Sequence, residues 1–183
     1  MSWKIREAVR HLEHGGIIAY PTETVYGLGC DPFNAAAVLH LLALKQRDTR
    51  QGLVLIAAEF AQLTPLLLPL GSATKSRVTR STPVATTWVL PCLPTMPAWL
   101  RGRHTGLAVR VSSHPVAAAL CKHWGGPLVS TSANLHGRHP ATSPLAVRKA
   151  FNGQLDCILH GEQGSGLPST IRDGISGKIL RSG

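Results

Sequence analysis

The sequence predicts one α/β domain spanning residues 1–183, a mixed sheet with helices packed on it, and three observations carry the prediction. Apolar residues at helical spacing alternate with short apolar runs, in the order helix, strand, helix, strand, then strands mixed with helices. The 183 residues suffice for one sizeable core, and no linker-like stretch divides them. Hydrophobic residues make up 44% of the chain beside 18 Gly and 13 Pro, which is the composition of a turn-rich globular protein and not of a disordered one.

Ser2 can cap a first helix with Ile5, Ala8, Val9 and Leu12 on one face, stopped by Gly15-Gly16. "IIAY" (17–20) is a strand ended by Pro21, and the loop "PTETVYGLGCDPF" follows. Asn34 can cap a second helix, with Val38, Leu41 and Leu42 inward, running to Lys45. "GLVLIAA" (52–58) reads as a buried strand and residues 59–68 as a short helix. "TTWVLP" (86–91) and "LAVRV" (107–111) are strands. Ser113 is placed to cap a helix with Pro115 in its first turn and Val116, Leu120 and Trp124 inside. "PLVS" (127–130) is a strand feeding the loop "TSANLHG", Ser143-Pro144 starts another helix, and "DCILH", "STIRD" and "KILRSG" supply late strands.

No apolar run approaches the roughly 20 residues of a membrane span, and the first 16 residues carry scattered charges without an apolar signal core. A cytoplasmic protein is expected. Cys30, Cys92, Cys121 and Cys157 are widely and irregularly spaced, which argues for reduced, mostly buried thiols over a zinc site or a disulfide scaffold. The pair His136 and His139 in "HGRH" sits in a loop signal with no third ligand, so no metal site is expected there. Net charge is +10, and its origin is local. From residue 60 to 155 there is no Asp or Glu, while Lys75, Arg77, Arg80, Arg101, Arg103, Arg110, Lys122, Arg138, Arg148 and Lys149 fall in that stretch. Such a field attracts nucleotides, RNA or acidic surfaces.

Ligands of open α/β sheets bind beyond strand ends, and polar residues cluster in the loops there. "PTETVYGLG" sets Thr22, Glu23, Thr24 and Tyr26 between a rigid Pro21 and two glycines. It reads either as a connecting turn or as a hydroxyl-lined pocket. "PLVSTSANLHG" offers Ser130, Thr131, Ser132 and Asn134, which suit a hydroxyl, an α-amino group or a phosphate oxygen, or simply a capped turn. Between them, "LKQRDTR" gathers Lys45, Arg47, Asp48 and Arg50 at a helix end. Cations there can answer the helix dipole, or they can form an anion site at the sheet edge. Nothing matches a P-loop, the third glycine position of a dinucleotide fingerprint is Pro32, and "QGSGL" lacks the spacing of a nucleophile elbow.

Taken in order, "YPTETVYGLGCDP", "LKQR", "LAVRVSSHP", "LVSTSAN" and "STIRD" resemble the YrdC-like family, and within it the bacterial single-domain members that make threonylcarbamoyl-AMP. The resemblance runs from about Ile17 to the C-terminus, and the pairing of K-x-R with S-x-N is its specific part. It implies a twisted mixed sheet around a deep basic cavity. It implies a reaction in which L-threonine, bicarbonate and ATP give L-threonylcarbamoyl-adenylate and pyrophosphate, with a downstream enzyme passing the group to adenosine 37 of tRNAs that read codons beginning with A. It implies that Lys45 and Arg47 face the nucleotide phosphates beside Ser132 and Asn134, with further contacts at Thr22, Thr87, Arg110, Ser130, Ser169 and Arg181. Magnesium would accompany ATP. Two anions, a carbamate and the α-phosphate, must meet in that reaction, so cations that hold both are what the chemistry requires.

The chain departs from the family at "STPVATTW", where relatives carry W-P-G-P-[LV]-T: Pro83 and Thr87 remain, but Thr82 and Val84 replace tryptophan and glycine. Two-domain members carry an added C-terminal domain, which is not expected before Gly183. Two other readings compete: a non-catalytic RNA-binding module of the same fold, also served by weak tRNA binding, and a small-molecule hydrolase or carbamoyl transferase. Few aromatic residues (5%) are available for base stacking, which disfavours the first; the joint presence of K-x-R and S-x-N disfavours both.

Overall fold

In the computed structural model, which describes residues 3–80, 85–135 and 137–182, the elements run α1 (Trp3–Glu13), β1 (Ile18–Tyr20), β2 (Gly27–Gly29), α2 (Ala35–Leu44), β3 (Val54–Ala57), α3 (Ser72–Thr79), β4 (Thr86–Pro91), α4 (Ala98–Arg101), β5 (Gly106–Val111), α5 (Pro115–Trp124), β6 (Leu128–Ser132), α6 (Pro144–Phe151), β7 (Cys157–Ile158), β8 (Thr170–Asp173) and β9 (Ile179–Arg181). Ser2, the altered Thr82 and Val84, and His136 lie outside the described residues.

Alternation along β1 sorts its side chains between two cores. Ile18 and Tyr20 join Ile5, Ala8 and Leu12 of α1 and Ala117, Leu120 and Cys121 of α5. Ile17 and Ala19 turn the other way, toward Val38, Leu41 and Leu42 of α2 and Val147 and Phe151 of α6. The sheet is therefore covered on both faces. Its strand order is β7-β1-β2-β6-β3-β5-β4-β8-β9, mixing parallel pairs such as β3 with β5 and antiparallel pairs such as β3 with β6.

Several elements depart from the sequence reading. Within the expected loop after Pro21, Gly27–Gly29 pairs as β2 between β1 and β6. A Cβ on Gly29 would lie 2.4 Å from the Val129 carbonyl oxygen, so only glycine lets the strands close there. Residues 59–68 form two short 3-10 turns, Phe60–Gln62 and Thr64–Leu66, instead of one helix. Pro65 cannot donate to a continuous helix, and the Gln62 side chain takes the Ala58 N–H. The α5 cap is His114, whose ring accepts from the Val116 N–H, and not Ser113. Ala117, Leu120 and Cys121 form the buried face of that helix; Val116 and Trp124 are only half-buried. Helices α3 and α4 were not anticipated, and β6 runs on to Ser132, past the expected strand end. Asn34 and Ser143 cap as expected, each side chain accepting from the helix backbone. Among the described residues the cysteines are free, three buried and Cys157 half-buried.

Candidate active site

The two-residue repeat of the strands also builds a floor. Val54 on β3 pairs with Ser130 of β6 and with Ala108 of β5, Ala108 pairs with Val89 of β4, and Thr87 pairs with Ile171 of β8. All of these line one cavity of about 340 Å³. It lies on the sheet face that also carries Ile56 and Leu128, one step along the strands from the core under α1 and α5. Small polar side chains follow where that apolar core ends.

Four arginines line the cavity, Arg47, Arg101, Arg110 and Arg181, and no Asp or Glu is among its lining residues. Arg110 is 6% exposed on β5, and its Nε has no hydrogen-bond partner among the described residues. Arg47 donates from Nη2 to the Gly52 carbonyl at 2.9 Å, but its buried Nε is likewise unpartnered. Burial, and then the nearby Arg181 charge, lower the Arg47 pKa from its ordinary value. Arg181 donates to the Ser169 carbonyl at 3.2 Å. Of the four, Arg110 is buried, Arg47 and Arg101 are half-buried and Arg181 is exposed; a cluster of cations with no carboxylate in the cavity lining favours an anionic ligand.

The cationic joint after α2 divides in two. Asp48 and Arg50 are exposed and pair with each other, which is ordinary helix-end chemistry. Lys45 and Arg47 are turned inward by a left-handed Gln46 (φ 51°), with the Gln46 N–H bonded to the Ala43 carbonyl and the Arg47 N–H to the Leu42 carbonyl, the closing pattern of a Schellman turn. Lys45 is 5% exposed. Its ammonium donates to the Ser132 carbonyl at 2.5 Å, the Asn134 carbonyl at 2.7 Å and Asn134 Oδ1 at 3.3 Å. Burial, then the Arg47 charge, bring its pKa down to about 8.

The first loop is tied down by its own hydroxyls. Thr22 Oγ1 donates to the Val25 carbonyl at 2.7 Å and lies 2.9 Å from Thr24 Oγ1. Glu23 points away from the cavity and accepts at Oε1 from Ser112 Oγ (2.8 Å) and the His114 N–H (3.1 Å), and from the Ser113 N–H. Across the floor, Thr87 Oγ1 lies 2.9 Å from Ser169 Oγ.

Eight of the ten residues singled out in the sequence thus line one cavity: Arg47, Ser132, Thr22, Thr87, Arg110, Ser130, Ser169 and Arg181. Lys45 and Asn134 do not line it. Lys45 lies behind the wall, where its ammonium gathers the loop after β6. Sequence reasoning missed Arg101 and His104, which also line the cavity. "LRGRHTG" offers no pattern to mark them beyond its charge. Thr24 and Tyr26 also line the cavity, within a loop the sequence had already marked.

A family model described as "Telomere recombination", that of Sua5, YciO and YrdC, matches residues 10–183. A threonylcarbamoyl-AMP synthase from Nitrosococcus oceani is 51% identical over 98% of this chain and 98% of its own length. One of the same name from Halorhodospira halophila is 52% identical over 98% of this chain and 94% of its own. Among solved structures, P. abyssi Sua5 complexed with L-threonine superposes with a TM-score of 0.87 at 33% identity, covering 93% of this chain and 51% of that one; this chain spans about half the length of Sua5. E. coli YciO superposes with a TM-score of 0.87 at 26% identity, covering 98% of this chain and 88% of that one.

Proposed function

The chain belongs to the Sua5/YciO/YrdC family, and we propose that it is a threonylcarbamoyl-AMP synthase, acting as one YrdC-like domain over residues 1–183 in the cytoplasm. The threonine amine and bicarbonate give a carbamate and water. A carbamate oxygen then attacks the α-phosphorus of ATP, and pyrophosphate leaves. The enzyme is in this sense a nucleotidyltransferase, moving an adenylyl group onto a carboxylate. The observation that carries the reading is the cavity itself: arginines without carboxylates, beside a row of neutral hydroxyls. Names of relatives about half identical over nearly the full chain support it.

Arg47, Arg110 and Arg181 hold the carbamate and the triphosphate, lowering the repulsion between two anions and receiving the charge that develops on pyrophosphate. Each guanidinium can grip two oxygens. Thr22, Thr87, Ser130 and Ser169 orient the neutral parts of the substrates, and catalysis is mainly positioning and electrostatics. No carboxylate lines the cavity, so these residues do not form a carboxylate cage for magnesium; an ion arriving on ATP would be held by phosphates and water. The product is handed to the tRNA threonylcarbamoyl transferase machinery, and the basic stretch from Lys75 to Lys149 supports weak contact with tRNA. Pyrophosphate release that requires both threonine and bicarbonate tests the reading. Release independent of either would contradict it.

A further inference from the structure

We propose that His114, which does not line the cavity, is a positioning residue: it latches the segment 160–169 onto the first polar loop and so sets where Pro168 and Ser169 stand in the cavity wall. The assignment rests on the reading of the cavity given above and adds a residue that acts on it from outside.

The path of that segment is the starting point. β7 pairs with β1 at one edge of the sheet, β8 pairs with β4, and six strands lie between β7 and β8. The chain joining them is therefore a strap across the molecule. Most of its residues are exposed and three are glycine, so no core of its own holds it in place. Its last residues, Pro168 and Ser169, line the cavity. There Ser169 Oγ meets Thr87 Oγ1, and the Ser169 carbonyl takes Arg181.

The strap is fixed by contacts further back. The Ser165 and Gly166 N–H groups donate to the Glu23 and Thr24 carbonyls, each at 2.9 Å. Gly164 packs so closely on the same loop that a Cβ would meet the Thr22 and Thr24 carbonyl oxygens within 2.5 Å. The remaining contact is His114. Its Nδ1 accepts from the Val116 N–H at 3.2 Å, so the proton of the neutral ring sits on Nε2. Nε2 then donates to the Glu162 carbonyl at 3.1 Å. One ring caps α5 and holds the strap. The His114 N–H in turn donates to Glu23 Oε1 at 3.1 Å. Loop, turn and strap thus close a circuit: the Glu23 side chain holds His114, the His114 ring holds Glu162, and the Ser165 N–H returns to the Glu23 carbonyl. Thr22 and Thr24 stand on one limb of that circuit and Ser169 on another, and all three line the cavity.

His114→Asn separates the two tasks of the ring, because an Asn side chain caps a helix but is too short to reach the strap. Gly164→Ala pushes the strap off the loop with His114 intact. Amide exchange, melting and threonine-dependent pyrophosphate release are measured on wild type and both variants. Exchange at Ser165 and Gly166 is expected to quicken about tenfold in each variant, as for loss of one hydrogen bond, with α5 and the core strands unchanged. KM for ATP and threonine is expected to rise about fivefold with kcat within about twofold, since the strap supplies wall and not reacting groups. Wild-type exchange at Ser165 and Gly166 in His114→Asn would overturn the latch. Quickened exchange with KM unmoved in both variants would overturn its link to the cavity. A His114→Asn protein that does not fold, or whose faster exchange spreads through α5 and the core, would assign His114 to the cap alone and overturn the proposal. Wild type that releases no pyrophosphate would overturn the functional reading, while the exchange rates would still decide the latch.

Discussion

Ser112 Oγ donates to Glu23 Oε1 at 2.8 Å, joining the first polar loop to the turn between β5 and α5 across 89 residues of sequence. The same oxygen receives the Ser113 and His114 N–H groups. One carboxylate therefore sets the distance between the loop that carries Thr22 and the strand that carries Arg110.

Removing that carboxylate is expected to destabilise the protein. Glu23→Ala leaves backbone donors without a partner, and a cost of about 1–3 kcal/mol follows. The pH dependence has a definite sign. Burial pushes the Glu23 carboxyl upward, but the Arg110 charge and the hydrogen bonds it accepts outweigh this and hold it below its ordinary 4.5. A carboxyl depressed in the folded state contributes fully above its unfolded pKa and loses that contribution as pH falls through the folded one. Urea midpoints of wild type and Glu23→Gln should therefore differ most near neutrality and converge in acid below about pH 4.5.

Gly102 is the second structural test. It adopts φ +63°, and a Cβ there would lie 2.4 Å from the Arg50 carbonyl oxygen and 2.4 Å from the Gly52 nitrogen. Gly52 is itself at φ +68°, with a Cβ position 2.7 Å from the Arg101 carbonyl oxygen. Two glycines thus allow the joint after α2 to meet the end of α4. Gly102→Ala is expected to cost on the order of 1–3 kcal/mol or more. It should also weaken ATP binding, because the displaced segments carry Arg47 and Arg101. Thermal melting and ATP titration on the same sample check both.

What the sequence made legible follows from which interactions are local. Asn34 and Ser143 cap within their own helices, and β4 and β5 match their apolar runs closely, because caps and periodicity are written in neighbouring residues. Thr22, Ser130 and Ser132 are legible because small polar residues cluster after buried strands. Lys45 was marked for its charge, but its role depends on carbonyls 87 and 89 residues away, and no local pattern reports where a side chain's donors are spent. Strand β2 was hidden for a related reason. "GLG" has no strand signature, and it pairs because its glycines let β1 and β6 approach.

The Lys45 clamp should titrate. With its pKa brought down to about 8, the folded protein loses this charge well before an ordinary lysine at 10.5 would. Below about pH 8 three donors hold the loop after β6; above it only two remain. Threonine affinity of wild type relative to Lys45→Met should therefore fall as pH rises through about 8. Taking the ratio cancels titration of threonine itself. A ratio flat from pH 7 to 9 would show that the ammonium form is not what holds the loop.

Contact with tRNA should be weak and governed by salt. Between residues 60 and 155 the sequence carries ten bases and no acid, although Arg110 is buried and faces the Glu23 charge, and Arg77 is engaged with the Gly174 carbonyl near Asp173. Binding through phosphates releases counterions, so affinity should drop steeply between about 50 and 200 mM salt. Filter binding with unrelated tRNAs should show little sequence preference. Tight binding that survives high salt would require a different origin.

The central claim is that carbon from bicarbonate ends in an adenylate made within this cavity. The most direct measurement is mass spectrometry of the products after incubation with ATP, L-threonine and either ordinary or 13C-labelled bicarbonate. The expected result is threonylcarbamoyl-adenylate whose mass rises by one unit with the label, reduced on the order of 10²–10³-fold in rate by Arg47→Ala, as for loss of a transition-state charge contact. An adenylate without the label, or no adenylate from a folded protein that binds both ATP and threonine, would contradict it.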